Sequence, residues 1–400
     1  MHKEVKVDCS VVYICSMFAS NQSPRSARIA VSNFFFVSGL CFATWTARIP
    51  DIQLHIGLSK SELGSVLFAS PIGSMVCLPL AGWLVTHFGS RACMLVASFA
   101  YAIDLCAIGL VNTSWELVAV LFFFGMAGNL MNIAINTQAV GVEALYKRSI
   151  MASFHGLWSL AGFTGGAVGI LMVSQYVSPL FHFIIVALLI GLFVIFFFRY
   201  SLKEDDKDKG ELKFKFKWGN IKSILTLGII AFCCMGCEGC MFDWSGIYFR
   251  DVVRVPDNIV PVGLTAFMAT MATGRFVADK MVTKFGPVRV LQTSGVLITT
   301  GLLIAVAFPY LYTATLGFLL TGFGVSSVVP LTYGLAGKSK KVTAGIAISL
   351  VSSVGFLGFL LGPPFIGYIA DALSLQWSFG LMAVLGFGTA LIASKAQINA

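Results

Sequence analysis

Twelve apolar runs, separated by short polar breaks, dominate this 400-residue sequence. They fall near 29–47, 61–84, 92–111, 116–142, 150–173, 179–198, 224–248, 260–277, 289–307, 311–334, 344–361 and 376–393. Roughly 20 apolar residues make a helix that crosses ~30 Å of hydrocarbon, so each run reads as one crossing. Soluble domains carry about a quarter charged residues; with 57% apolar and 11% charged residues this chain cannot build a surface that faces water. That excludes a soluble enzyme, a nucleic-acid-binding domain and a disordered chain. The expected fold class is an all-α membrane protein of twelve transmembrane helices.

The basic residues orient it. With the N-terminus in the cytoplasm, the 27 Lys and Arg divide into 23 on the cytoplasmic side and four outside, Arg48, Lys60, Arg250 and Arg254. This is the positive-inside asymmetry, and it puts both ends in the cytoplasm of an inner (plasma) membrane protein. The net charge of +9 therefore reports topology. Its largest basic cluster, Lys213 to Lys217, lies beside five acids in a loop, which is not a nucleic-acid footprint.

The expected organisation is a cytoplasmic tail (1–28), a first six-helix bundle (29–198), a charged linker (199–223), a second six-helix bundle (224–394) and a short tail (395–400). Val11 to Ala19 is too short to cross and precedes no convincing cleavage site, so a signal peptide is not expected, and Met17 is an alternative start. Cys233, Cys234, Cys237 and Cys240 form a string that in a loop would suggest a metal site. Inside an apolar run, cysteine acts as a small residue that lets helices approach, so no metal or organic cofactor is implied.

The halves repeat. Val85-Thr-His-Phe-Gly89 returns as Val282-Thr-Lys-Phe-Gly286, displaced by 197 residues, and the same displacement carries runs one to six onto seven to twelve within a few residues. The offset joins runs of equal direction, so the repeat is parallel: two bundles related by an axis along the membrane normal. Bundles so related can rock about a site between them, which is what alternating access requires.

Gly82 to Arg91 and its counterpart Gly274 to Gly286 resemble the cytoplasmic loops of the major facilitator superfamily, over about residues 27 to 395. W-T-A-R-I-P (45–50), M-N-I-A-I-N-T-Q-A-V (131–140), S-F-H-G-L-W-S-L (153–160), E-G-C-M-F-D-W-S (238–245) and G-F-L-L-G-P-P (358–364) look like a bacterial branch distantly similar to the fucose–proton symporters. Thr86 and Thr283 stand where that superfamily usually has Asp, and His87 where a basic residue is common. Gly89 and Gly286 still allow the tight turn, and with Arg91 they are the expected gating elements of these loops. The resemblance also implies a cavity lined mainly by runs one, four, seven and ten, with five and eleven contributing.

Ionisable groups at bilayer depth cost at least ~2.5–3.5 kcal/mol on insertion scales, so each needs a reason. Asp104, Glu238 and Asp243 are the expected proton-coupling acids, since burial disfavours a charged carboxyl and suits it to loading and releasing a proton. The bland alternative is a carboxyl paired with a base such as Arg48 or Arg250. Gly236 and Gly239 are expected to let the helix break around Glu238. Asp243 is five residues on, about 140° round a regular helix.

Asn129, Asn132 and Asn136 form an amide stripe suited to a hydroxylated solute, or to interhelical bonds. His155 and Trp158 can relay a proton and stack on a ring, or simply be structural. Trp45 and Trp244 are candidate solute contacts, or members of an aromatic belt. Glu143 with Lys147 and Arg148, and Arg275 with Asp279, at cytoplasmic helix ends, are candidate gate pairs or ordinary solvated charges. Gly358 to Pro364 is expected to break or end run eleven.

These readings converge on a secondary active transporter of a small polar organic solute, sugar-like by the resemblance, with proton symport as the expected coupling. The rival within transport is proton-driven efflux of amphipathic compounds or metabolites; the rival outside it is a non-transporting receptor or scaffold. A membrane enzyme lacks support, because no nucleophile–base pair stands out. Expected partners are the solute, protons and the lipid bilayer, without nucleic acid, and the chain is expected to act as a monomer.

Overall fold

A computed structural model describes residues 23–146, 150–203, 222–338 and 344–395. Lys147, Arg148, the tail before residue 23, linker residues 204–221 and the last five residues lie outside the described residues. The first six spans are Pro24–Ile56, Lys60–Phe88, Ser90–Ile108, Ser114–Tyr146, Ser153–Ser174 and Pro179–Phe198. The second six are Ser223–Val253, Asp257–Phe285, Pro287–Ala307, Leu311–Gly337, Ala347–Ala372 and Leu375–Lys395. Hydrocarbon offers backbone groups no water to bond, which is why apolar runs of this length become helices. Local signals fix their starts: Pro24 follows the Ser23 cap, and Ser59 with Glu62 closes a reciprocal capping box at the outer start of span two.

Two expected breaks do not occur. Span seven runs as one helix from Lys222 to Tyr248 through Gly236 and Gly239, and Gly236 instead receives the backbone of Gly358 in span eleven. Span eleven is helical from Ala344 to Ala372 through Pro363 and Pro364. Neighbouring helices compensate for the missing donors of intramembrane prolines, and here the Pro363–Pro364 backbone lies against Gly64 of span two. Span eight continues to Phe285, two turns beyond its apolar run, because Asp279, Lys280 and Lys284 lower hydropathy without opposing helix.

Each set of six spans packs chiefly on itself, spans two, three and four together in the first bundle and seven with eleven, and nine with ten and twelve, in the second. The repeat is visible in backbone detail. Gly89 and Gly286 end spans two and eight with φ of +84° and +80°, a conformation that side-chain-bearing residues resist. The bundles meet along spans five and eight throughout and along spans two and eleven in the outer half. Span two packs on span eleven far more through Lys60–Leu67 than through Ala69–Phe88, so on this side the seam is closed outside and parts towards the cytoplasm, while spans five and eight stay in contact.

Candidate transport site

The seam holds a buried ion pair in mid-membrane. Arg275 of span eight donates from Nη2 to Glu238 Oε1 of span seven at 3.4 Å and from Nη1 to Ser159 Oγ of span five at 2.5 Å. The side chains are 15% and 7% exposed. Ser159 belongs to the first bundle and Glu238 to the second, so one guanidinium ties the two together. Arg275 is therefore not at a helix end and not paired with Asp279, which is exposed. It sits about three turns before Gly286 because span eight extends past its apolar run, and at that depth Glu238 is the anion that can neutralise it. Nor do Arg48 and Arg250 pair with Glu238; their carboxylates are Asp51 and Asp251.

Aromatic rings surround this pair. The guanidinium lies over the Trp158 ring, 5.7 Å from its centroid. Trp158 meets Phe42 of span one and Phe242 of span seven at 5.9 and 6.1 Å, and Phe242 stacks on Phe359 of span eleven at 6.3 Å. Phe242 is one turn from Glu238, so the charge and the rings share a face. His155, one turn before Ser159, packs edge-on against Phe35 and lies within range of the Arg275 charge. On the far side Tyr333 of span ten shares a hydrogen bond with Ser352 at 2.9 Å and feels the charge of Glu238.

The other candidate carboxyls are placed apart. Asp243 is half-buried on a stripe with Gly239, Gly246 and Arg250, and it has no hydrogen-bond partner among the described residues. An ideal Cβ on Gly246 would lie 2.8 Å from Pro50 Cγ of the first bundle, so this stripe faces the seam one turn inside its outer closure. Span seven being regular, Asp243 and Glu238 point in different directions. Asp104, half-buried in span three, belongs to a helix that packs on spans one, four and six, away from the pair.

Asn132 is exposed and accepts at both its backbone and side-chain oxygens from Asn136 Nδ2, at 2.8 and 2.9 Å. Glu143 lies on the same stripe and accepts from the Ile150 and Met151 amides at the start of span five, a helix of the seam. The stripe thus runs beside the cytoplasmic mouth. Asn129 is turned inward, its Oδ1 buried without a donor among the described residues. Trp45 and Trp244 are 3% and 0% exposed. Aromatic belts sit at the lipid interface, so neither belongs to one; both are packed inside their bundles.

At the cytoplasmic loop Arg91 donates to the Phe198 carbonyl at 3.3 Å and covers the Phe198 ring, which holds the Gly89 turn against span six. The cysteine string links helices: Cys234 Sγ donates to the Val325 carbonyl at 3.8 Å and Cys237 Sγ to that of Met382 at 3.3 Å. Among the described residues no cluster could hold a metal ion.

Sequence reasoning missed the outer closure. A π turn, Phe249–Val253, ends span seven and lets Arg250 donate to the Pro50 carbonyl at 2.9 Å and to Gln53 Oε1 at 2.8 Å across the seam. Lys60 pairs with Asp251 at 3.3 Å. Asp371 at the end of span eleven accepts from the Lys60 and Ser61 amides at 3.2 and 2.8 Å, capping span two of the other bundle. The available signal was scarcity: two of the four basic residues on the outer side, Lys60 and Arg250, carry this closure.

The comparisons agree with this architecture. The Major Facilitator Superfamily profile matches residues 31–264 and 259–396. An uncharacterised MFS-type transporter of Yersinia pestis is 31% identical over 360 residues, 90% of this chain and 93% of that one. Among solved structures, a mutant of the nucleoside transporter NupG superposes with a TM-score of 0.74 at 14% identity, covering 93% of this chain and 100% of that one. A bacterial homologue of the lysosomal transporter Spinster, inward-facing and occupied, gives 0.71 at 14% identity over 92% and 96% of the two chains. This chain is a member of the major facilitator superfamily, a multi-pass transporter of the bacterial inner membrane.

Proposed function

We propose that this transporter moves a small polar organic solute by alternating access, in symport with protons, and that the Glu238–Arg275 pair is the coupling element. The observation that carries this is a guanidinium shared between the two bundles and neutralised by one carboxylate. Protonating Glu238 weakens its hold on Arg275, and Arg275 is also the tie to Ser159. A proton on one bundle thereby alters the grip on the other, which is a differential interaction able to bias the rocking equilibrium. Asp243, between the outer closure and the rings, is the proposed way station for a proton entering from outside; Asp104 has no such position and a structural role suits it better.

Trp158 offers a ring face for a sugar-like solute, and Asn132 and Asn136 offer amides for its hydroxyls at the mouth. Packed inside their bundles, Trp45, Trp244 and Asn129 serve this reading as scaffold. Gly89, Gly286, Arg91 and Glu143 hold the cytoplasmic turns and helix starts that move when the mouth closes.

Proteoliposomes containing a trapped pH dye test the coupling with a panel of sugars and sugar acids. Uptake of an accepted probe should carry protons inward, and Glu238→Gln should retain downhill exchange while losing accumulation driven by a pH gradient. Accumulation by Glu238→Gln equal to that of the parent protein refutes the assignment.

A further inference from the structure

Arg275 has more donor capacity than its partners use. A guanidinium presents five N–H groups in a planar fork. Nη1 serves Ser159, Nη2 reaches Glu238 at a loose 3.4 Å, and the buried Nε has no acceptor among the described residues. A well-made carboxylate pair forms two parallel bonds of about 2.7–2.9 Å. Glu238 does not make one. The side chain also keeps 15% of its surface open.

Protonation sharpens the problem. Once Glu238 is neutral, Arg275 has no anion among the described residues within ion-pair distance, and an uncompensated guanidinium in a protein interior is strongly unfavourable. A neutral solute leaves that cost standing; an anionic one removes it. The neighbouring groups define the rest of such a solute: the Trp158 face for a ring, the Tyr333 and Ser352 hydroxyls, and amides at the mouth, for hydroxyl groups.

We infer that the solute is a hydroxylated organic monocarboxylate of the sugar-acid class, whose carboxylate replaces Glu238 on the Arg275 fork. The inference rests on the proton-coupled reading above and adds the solute's charge. As the carboxylate bonds to Arg275, Glu238 leaves it and forms an O–H bond with a proton from the outer water, so the net charge of the site is unchanged. On the cytoplasmic side the anion departs, Glu238 gives its proton to water, and the carboxylate returns to Arg275. One anion and one proton cross per cycle with no net charge moved.

The experiment compares glucuronate, galacturonate and gluconate with glucose and galactose, by thermal shift and by uptake into proteoliposomes. At least one acid should stabilise the protein at concentrations tenfold or more below its neutral counterpart. Arg275→Gln should abolish the effect, and Arg275→Lys, which keeps the charge but loses the fork, should weaken it about tenfold. Glu238→Gln should bind the acid with little pH dependence, which also shows that the site folds. At a fixed pH gradient, uptake should not respond to a potassium–valinomycin potential.

Equal binding of neutral sugars, no response to any acid, or uptake driven by an interior-negative potential overturns the inference. Neutral sugars carried with protons and uncoupled by Glu238→Gln would leave the coupling intact and remove only the charge. Acids bound at Arg275 but carried without protons would do the reverse.

Discussion

At the outer face the bundles are joined by several charges, of which Lys60, Asp251 and Asp371 reach water; in mid-membrane they are joined through one largely buried pair. Outside, Lys60, Arg250, Asp251 and Asp371 spread their bonds over backbone carbonyls, amides and one another, so any one of them can be lost and partly replaced by solvent. In the middle, Arg275 and Glu238 have each other and Ser159. Screened surface pairs contribute about 0–1 kcal/mol, whereas breaking a buried pair costs about 3–5 kcal/mol because the survivor is stranded. Under the proposed mechanism this is a division of labour: the outer contacts set how long the outer side stays closed, and the inner pair decides what may cross.

The sharpest way to break that contrast is Glu238→Ala. It strands Arg275 and should cost about 3–5 kcal/mol, seen as a large fall in detergent melting temperature or loss of folded protein. Glu238→Gln also removes the anion but keeps an acceptor for Nη2, so it should cost less than Glu238→Ala without matching the parent. A Glu238→Ala protein as stable as its parent would mean that the pair is already solvated, and the two regions would then be alike.

Much of this architecture was legible in the sequence because bilayer physics is blunt. Span number, topology and the 197-residue repeat follow from hydropathy, charge side and offset alone. Legibility failed where a side chain's direction mattered. Arg275 looks cytoplasmic because hydropathy ends a span where charges begin, although the helix continues to Phe285. Gly236, Gly239, Pro363 and Pro364 look like breaks because propensity ignores the neighbour that fills the gap. Glu238 was found by the cost of burying a carboxyl, but its partner is 37 residues away on another helix, and no local pattern announces such a pair.

Arg250→Ala tests the outer region at its strongest point. It removes two cross-seam bonds from a charged donor, and one such bond contributes about 1.5–3 kcal/mol. With solvent replacing part of the loss, so that the net effect is that of about one such bond, the outward-open population should rise roughly 10- to 150-fold. Labelling of a cysteine placed at Ser61 by a membrane-impermeant maleimide reads the shift, and unchanged labelling would show that Arg250 does not hold the closure.

Gly246→Ala separates closure from stability. The added Cβ meets a ring carbon of Pro50 at 2.8 Å, which a proline cannot swing away from, so closing should cost about 1–2 kcal/mol. Ala in a helix is about 1 kcal/mol better than Gly, so the melting temperature should hold or rise. Increased Ser61 labelling without thermal loss is the expected pair of results; a matched fall in both would make the position a matter of packing alone.

Asp371→Asn should give the smallest effect and the most telling salt dependence. The carboxylate caps two amides at the start of span two, favourably placed at a helix N-terminus, but it is exposed, so about 0.5–1 kcal/mol is expected and a two- to fivefold rise in outward labelling. The Debye length falls from about 10 Å at 0.1 M salt to about 3 Å at 1 M. Raising salt should therefore bring the parent towards Asp371→Asn in the labelling assay while changing the uncoupling caused by Glu238→Gln far less, since a largely buried pair is screened much less than exposed charges. Uncoupling of the parent by salt would place Glu238 in contact with bulk solvent, and an outer closure indifferent to salt would make it a matter of packing between Gly64, Gly246, Pro50 and Pro363 rather than of charge.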